Sequence, residues 1–168
     1  SGGAGGARTA PLRSPELYAA ILARRSVRKY EQTPLDEGTL ARVREIAGAV
    51  RPLGPGVAFR VLFRDVAPGE DLVEALGAYG RIVSPPHYLV PYLDGAAEHL
   101  ADLGYRVQQI VIRLTALGLG TCYVGCLPWE DRSRAYFGLG EEARLGAAVV
   151  YVWGDALINW YAIWSLGY

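Results

Sequence analysis

The chain has 168 residues, 51% of them apolar and 20% charged, and its seventeen basic and seventeen acidic side chains cancel. This is the size and composition of one globular domain with a core of its own, and the lack of net charge argues against nucleic acid or a membrane surface as a general partner. Two cysteines are too few for a secreted disulfide framework, and Arg106 and Arg113 interrupt the most apolar stretch, so neither a disulfide scaffold nor a membrane span is expected.

Residues 1–13 open with Ser1-Gly2-Gly3-Ala4-Gly5-Gly6 and read as a flexible leader or a tag scar; no signal-peptide pattern is present, and a cytoplasmic location is expected. Ser14-Pro15-Glu16 supplies a capping hydroxyl, a proline at the first helical position and an acid in the first turn. Leu17, Ile21 and neighbouring alanines then form one apolar stripe on a helix reaching Arg24. Beyond Thr33-Pro34, Asp36 is placed to cap a second helix carrying Leu40, Val43, Ala47 and Val50 at helical spacing. The proline and glycine density of Arg51-Pro52-Leu53-Gly54-Pro55-Gly56 predicts an irregular loop. Val57 to Arg64 alternates as a strand with one wetter face.

Glu70 to Tyr79 reads as a short helix and Ser84-Pro85-Pro86 as a turn. His87 to Leu93 is extended, with Pro91 marking an edge or a short strand. Asp94 can cap the longest helix, residues 95–117, where Leu100, Leu103, Val107, Ile110, Val111, Leu114 and Leu117 cover much of the surface. A helix so apolar belongs at the centre of the fold, and Gly118 and Gly120 are expected to end it. Thr121 to Gly125 is a short strand, Trp129 to Phe137 a helix, and Leu145 to Trp153 an apolar run suited to a central strand. Helices and strands mix without regular alternation, which is an α+β pattern. The tail, 154–168, holds Trp160, Tyr161, Trp164 and Tyr168; it completes the sheet or, as favoured here, wraps a partner subunit.

Cys122 and Cys126 stand four apart on a strand and so share a face. Zinc would need two further ligands, and His87 and His99 lack the spacing, so buried thiols and no metal are expected. Gly118-Leu119-Gly120 follows a helix and precedes a strand, the reverse of a dinucleotide-binding turn; a P-loop and a nucleophile elbow are absent too. No side chain stands out as acid, base or nucleophile, so no catalytic residue is nominated. What remains is Arg24-Arg25-Ser26-Val27-Arg28-Lys29-Tyr30. Closely spaced guanidiniums with a hydroxyl suit a phosphate through bidentate, charge-assisted bonds; a solvated basic turn is the plainer alternative. The cluster follows the negative end of a helix, so an anion there would rely on side chains.

Arg24-x-Ser26-x-Arg28 with an aromatic soon after resembles the opening signature of the nitroreductase-like flavoprotein family. Leu117-Gly118-Leu119-Gly120-Thr121-Cys122-Tyr123-Val124-Gly125 resembles that family's Gly-Leu-Gly-Thr-Cys-aromatic-aliphatic-Gly stretch, in the same relative place. The resemblance covers residues 14–153 and marks them as one flavin-binding domain. It implies a central, mostly antiparallel sheet flanked by helices around a long buried helix. It further implies FMN as cofactor, NADH or NADPH as reductant, a flat small-molecule acceptor such as a nitroaromatic or quinone, and a homodimer with extended ends. By match to the motifs, Arg24, Arg25, Ser26 and Arg28 would hold the phosphate, ribityl chain and pyrimidine edge. Cys122, Tyr123, Val124 and Gly125 would pass along the flavin ring, with Val124 and Gly125 offering backbone N–H groups near its reactive nitrogen. A cofactor that carries the chemistry also accounts for the missing acid and base.

Three departures accompany the resemblance. The family's Pro-Ser-x-x-Asn-like loop is here Pro52-Leu53-Gly54-Pro55, the acid many members carry before the glycine is Val124, and no basic residue follows Arg144 to return to the phosphate. Alternatives are therefore a specialised flavin chemistry (flavin breakdown, dehalogenation or azoline oxidation) and a flavin-binding descendant without turnover.

Overall fold

The computed structural model describes residues 14–28, 32–56, 58–81, 85–94 and 100–153. The leader, Lys29, Tyr30, His99 and the aromatic tail lie outside them. Helix α1 runs Ser14–Ala23 and α2 runs Glu37–Gly48, the latter capped as its sequence predicts: the Asp36 carboxylate accepts from the Thr39 amide at 2.9 Å. Leu40, Val43, Ile46 and Ala47 form the buried stripe of α2. Strands β1 (Ala58–Asp65), β2 (His87–Asp94), β3 (Leu119–Gly125), β4 (Ala143–Arg144) and β5 (Ala147–Trp153) make one sheet in the order β1-β2-β5-β3, with β4 against the far end of β2. All these pairings are antiparallel.

Helices cover both faces. On one, α2 and α4 (Leu100–Ala116) pack Val43, Ile46, Ile110, Val111 and Leu114 on Leu89, Leu93, Val149 and Tyr151. On the other, α3 (Val73–Leu76) and α5 (Glu130–Phe137) bring Leu72, Leu76 and Phe137 onto Tyr88, Val90, Cys122, Val124 and Val150. β5 is sandwiched on both faces, which is why Ala148 to Val152 is apolar without alternation. The fold is the α+β arrangement expected, with α4 the long buried helix.

Several local readings need correction. Glu70 to Tyr79 is not one helix: α3 stops at Leu76 and the chain continues as a 3-10 turn over Gly77–Arg81. Gly77 sits at φ 62°, and a Cβ there would come within 2.4 Å of the Trp129 ring, so both backbone and packing demand glycine. Strand β2 is an interior strand and not an edge. On the side away from β1 it pairs with β5 at Tyr88-Leu89 and with β4 at Leu93-Asp94, and Pro91 falls in the interval between the two ladders. Asp94 is the last residue of β2, with its carboxylate 3.6 Å from Arg60 Nε; residues 95–99, where the helix it is expected to cap would begin, lie outside the described residues. Gly118, at φ 86°, ends α4, whereas Gly120 already belongs to β3.

Arg106 interrupts the apolar sequence of α4, yet it is buried. Its Nε lies 2.7 Å from the Asp102 carboxylate one turn earlier, and its guanidinium covers the Phe59 ring at 5.1 Å. The same carboxylate accepts from the Leu53 amide at 2.5 Å, and Gln109 bonds both the amide and the carbonyl of Arg51, at 3.0 and 2.8 Å. Two side chains of α4 thus fix the loop that follows α2. His87, with no ligand-like spacing, is a buried connector: its ring bonds Asp65 through Nδ1 at 2.7 Å and accepts from the Leu35 amide through Nε2 at 2.9 Å. Since Nε2 accepts, the proton of the neutral ring sits on Nδ1.

Candidate functional site

Helix α1 packs along α4 and ends at Ala23, where the Arg24 amide still bonds the Ala20 carbonyl. The chain then extends beside β3. Ser26 forms a parallel bridge with Thr121, and the Val27 amide donates to the Thr121 carbonyl at 2.9 Å. The two motifs, far apart in sequence, are therefore neighbouring strands of backbone. Gly120 permits the approach: a Cβ there would stand 2.8 Å from Val27 Cγ2. Thr121 and Val27 lie within the two motifs but carry no sequence signal of their pairing; Gly120, expected to end α4, lies inside β3 and marks close packing.

In an extended strand the N–H and C=O of one residue point to the same edge, and successive residues alternate. Thr121 turns its carbonyl away from β5, toward Val27. The unbroken register with β5 then puts the backbone groups of Tyr123 and Gly125 on that same outer edge. Those of Cys122 and Val124 face β5. Of the two residues whose amides the motif match nominates, Gly125 shares the outer edge with Tyr123, and Val124 faces β5. Among the described residues, a Cβ at Gly125 would meet nothing within 4 Å. The side chains of Cys122 and Val124 are buried in the core, with Cys126 beside them.

Around this edge, Arg24 and Ser26 are half-buried while Arg25 and Arg28 are exposed. Among the described residues, no carboxylate lies within ion-pair distance of Arg24, Arg25 or Arg28, although five other arginines are so paired. Tyr123 reaches toward α4 and donates its hydroxyl hydrogen to Gln108 Oε1 at 2.7 Å. Burial holds its phenol above the ordinary value, and the Arg24 guanidinium pulls it part of the way back. Arginines without carboxylates, a hydroxyl and a strand edge that, among the described residues, is unpaired beyond Thr121 suit a phosphate-bearing, flat ligand, and the residues present fit FMN in that respect. The hollow beside Pro128, Trp129, Glu130, Asp131 and Arg132, about 520 Å³, contains none of these groups.

Residues 16–148 match the family model described as "Putative TM nitroreductase". No match is found among curated protein sequences. Among solved structures, the chain is similar to nitroreductase A from Vibrio parahaemolyticus, with a TM-score of 0.68 and 19% identity over 83% of this chain and 68% of that one. An FMN-dependent nitroreductase from Clostridium difficile superposes with a TM-score of 0.67 and 16% identity, covering 82% and 87%. An NADPH:FMN oxidoreductase from Vibrio harveyi, complexed with NAD+, does so with 0.67 and 20%, covering 83% and 69%. Among the described residues no helix is long and apolar enough to cross a membrane.

Proposed function

The chain belongs to the nitroreductase family, and from that premise we propose that it is an FMN-dependent oxidoreductase. It takes reducing equivalents from NADH or NADPH and delivers them to a flat acceptor such as a nitroaromatic or a quinone. Residues 14–153 form the flavin-binding domain of this reading. The observation that carries it is the pairing of Ser26 and Val27 with Thr121, which sets the arginine cluster and the open edge of β3 side by side.

FMN, when bound, supplies a ring that accepts hydride from a nicotinamide and gives electrons to a second substrate. The protein's part is to hold and orient it. Arg24, Arg25, Arg28 and the Ser26 hydroxyl would bind phosphate, ribityl chain and pyrimidine edge. The amides of Tyr123 and Gly125, directed outward from β3, would stabilise negative charge on acceptor atoms placed against them. Tyr18, Ile21 and Leu22 of α1 and Tyr105 of α4 stand 44–70% exposed in the single chain. Apolar side chains so placed favour a homodimer that covers α1 and α4.

The test is a visible spectrum of the purified protein after incubation with FMN and desalting, then anaerobic addition of NADH or NADPH. Retained flavin absorbance that bleaches with either nucleotide is the expected result. Retained flavin that neither bleaches would identify a flavin-binding protein without turnover. Protein that holds no flavin would overturn the proposal.

A further inference from the structure

The arginine cluster offers only hydrogen-bond donors to a ligand, since guanidiniums cannot accept. A ligand carrying hydroxyl or imide N–H groups also needs acceptors, and besides the Ser26 hydroxyl and the outward carbonyls of β3 the site offers a phenol oxygen. Three elements converge on it: Arg24 at the end of α1, Gln108 in α4 and Tyr123 in β3. The Tyr123 hydroxyl hydrogen is committed to Gln108 Oε1 at 2.7 Å. With its only hydrogen engaged, the phenol oxygen has lone pairs left to accept. Tyr123 is 38% exposed and lies on the outer edge of β3, two residues beyond the Ser26–Thr121 bridge. The Ser26–Thr121 bridge brings the segment that leaves α1 to β3 two residues before Tyr123, and the Arg24 guanidinium acts on the phenol electrostatically.

We propose that the Tyr123 phenol oxygen is a side-chain acceptor of this site, receiving a hydrogen bond from a hydroxyl or imide N–H of the bound ligand, and that Gln108 is the positioning residue that keeps it in that role. Resting on the FMN reading above, the proposal adds a polarity requirement: the site selects ligands that combine an anionic end with a donor group. An oxyanion with no donor, such as sulfate, would use the arginines alone.

Two ligands and three variants test this. FMN affinity is measured by fluorescence titration for the wild type, Tyr123→Phe, Gln108→Leu and the double variant, and sulfate affinity by competition against FMN. Loss of one neutral hydrogen bond should weaken FMN binding by about three- to tenfold in Tyr123→Phe. Sulfate affinity should be unchanged. Gln108→Leu should weaken FMN less, and the double variant should be no weaker than Tyr123→Phe, because Gln108 acts through Tyr123. FMN binding in Tyr123→Phe equal to the wild type would sink the proposal. So would a parallel loss of FMN and sulfate affinity, which would make Tyr123 a structural support for the arginines. Wild-type protein that binds no FMN would instead remove the reading on which the proposal rests.

Discussion

Gly120 and Val27 are in contact across two neighbouring stretches of backbone: a Cβ on Gly120 would come within 2.8 Å of Val27 Cγ2 and 3.1 Å of its Cβ. At the next position, the Val27 amide bonds the Thr121 carbonyl at 2.9 Å. This contact joins the arginine cluster to β3, so a methyl group added to Gly120 should act on the site as well as on stability.

Gly120→Ala should destabilise the fold by about 1–3 kcal/mol through overpacking, seen as a lower urea midpoint. FMN affinity should fall with it, because the cluster is displaced from the strand. Val27→Ala in the same chain should recover most of both losses. Full FMN affinity in Gly120→Ala would show that the contact does not position the site.

Arg24→Ala and Arg28→Ala should each weaken FMN binding, by about 1.5–3 kcal/mol if each makes a charge-assisted bond. Arg28 is exposed and should sit at the lower end, with the steeper loss as salt is raised. Titration at low and high ionic strength checks both points. A folded double variant with unchanged affinity would remove the assignment.

His87→Phe keeps an aromatic ring against Tyr151, where the two rings stack at 5.8 Å, but leaves the Leu35 amide without its acceptor. The expected loss is about 1–3 kcal/mol. Asp65→Asn at the other end of the same imidazole should cost less than 1 kcal/mol or so, since that side chain is 74% exposed. Chemical denaturation of both variants measures the contrast; equal losses would contradict it.

Asp102→Ala takes the carboxylate away from a guanidinium that is 8% exposed and frees the Leu53 amide. Removing one partner of a buried pair is expected to cost about 3–5 kcal/mol. Asp131→Ala removes an exposed partner of Arg134 and should cost about 1 kcal/mol at most. Limited proteolysis should also find the 51–56 loop cut faster in Asp102→Ala alone.

Burial raises the phenols of Tyr88 and Tyr151 well above the ordinary tyrosine value, with Tyr136 and Glu70 adding to the first and Asp65 to the second. Their contribution is complete below the unfolded value of about 10 and is lost as pH rises from there toward the folded value. In that window the unfolded chain has released protons that the folded chain keeps, so stability falls with increasing pH. Urea midpoints taken from pH 8 to pH 11 should decline, and Tyr88→Phe or Tyr151→Phe should flatten the decline. An identical slope in both variants would assign it to other groups.

Spacing along the chain was enough for everything governed by neighbours a few residues away. The Asp36 cap, the buried stripe of α2, the apolar surface of α4 and the unalternating β5 were all legible, because caps and periodicity are local properties. The two motifs and their order were legible as well. Only the tertiary structure could bring Ser26 to Thr121, turn the amides of Tyr123 and Gly125 outward, and make β2 an interior strand despite Pro91. It alone buries Arg106 over Phe59, seats Gly77 under Trp129 and joins Tyr123 to Gln108. These are long-range pairings, and which edge or face receives a distant segment depends on the register of the whole sheet, which no local spacing specifies.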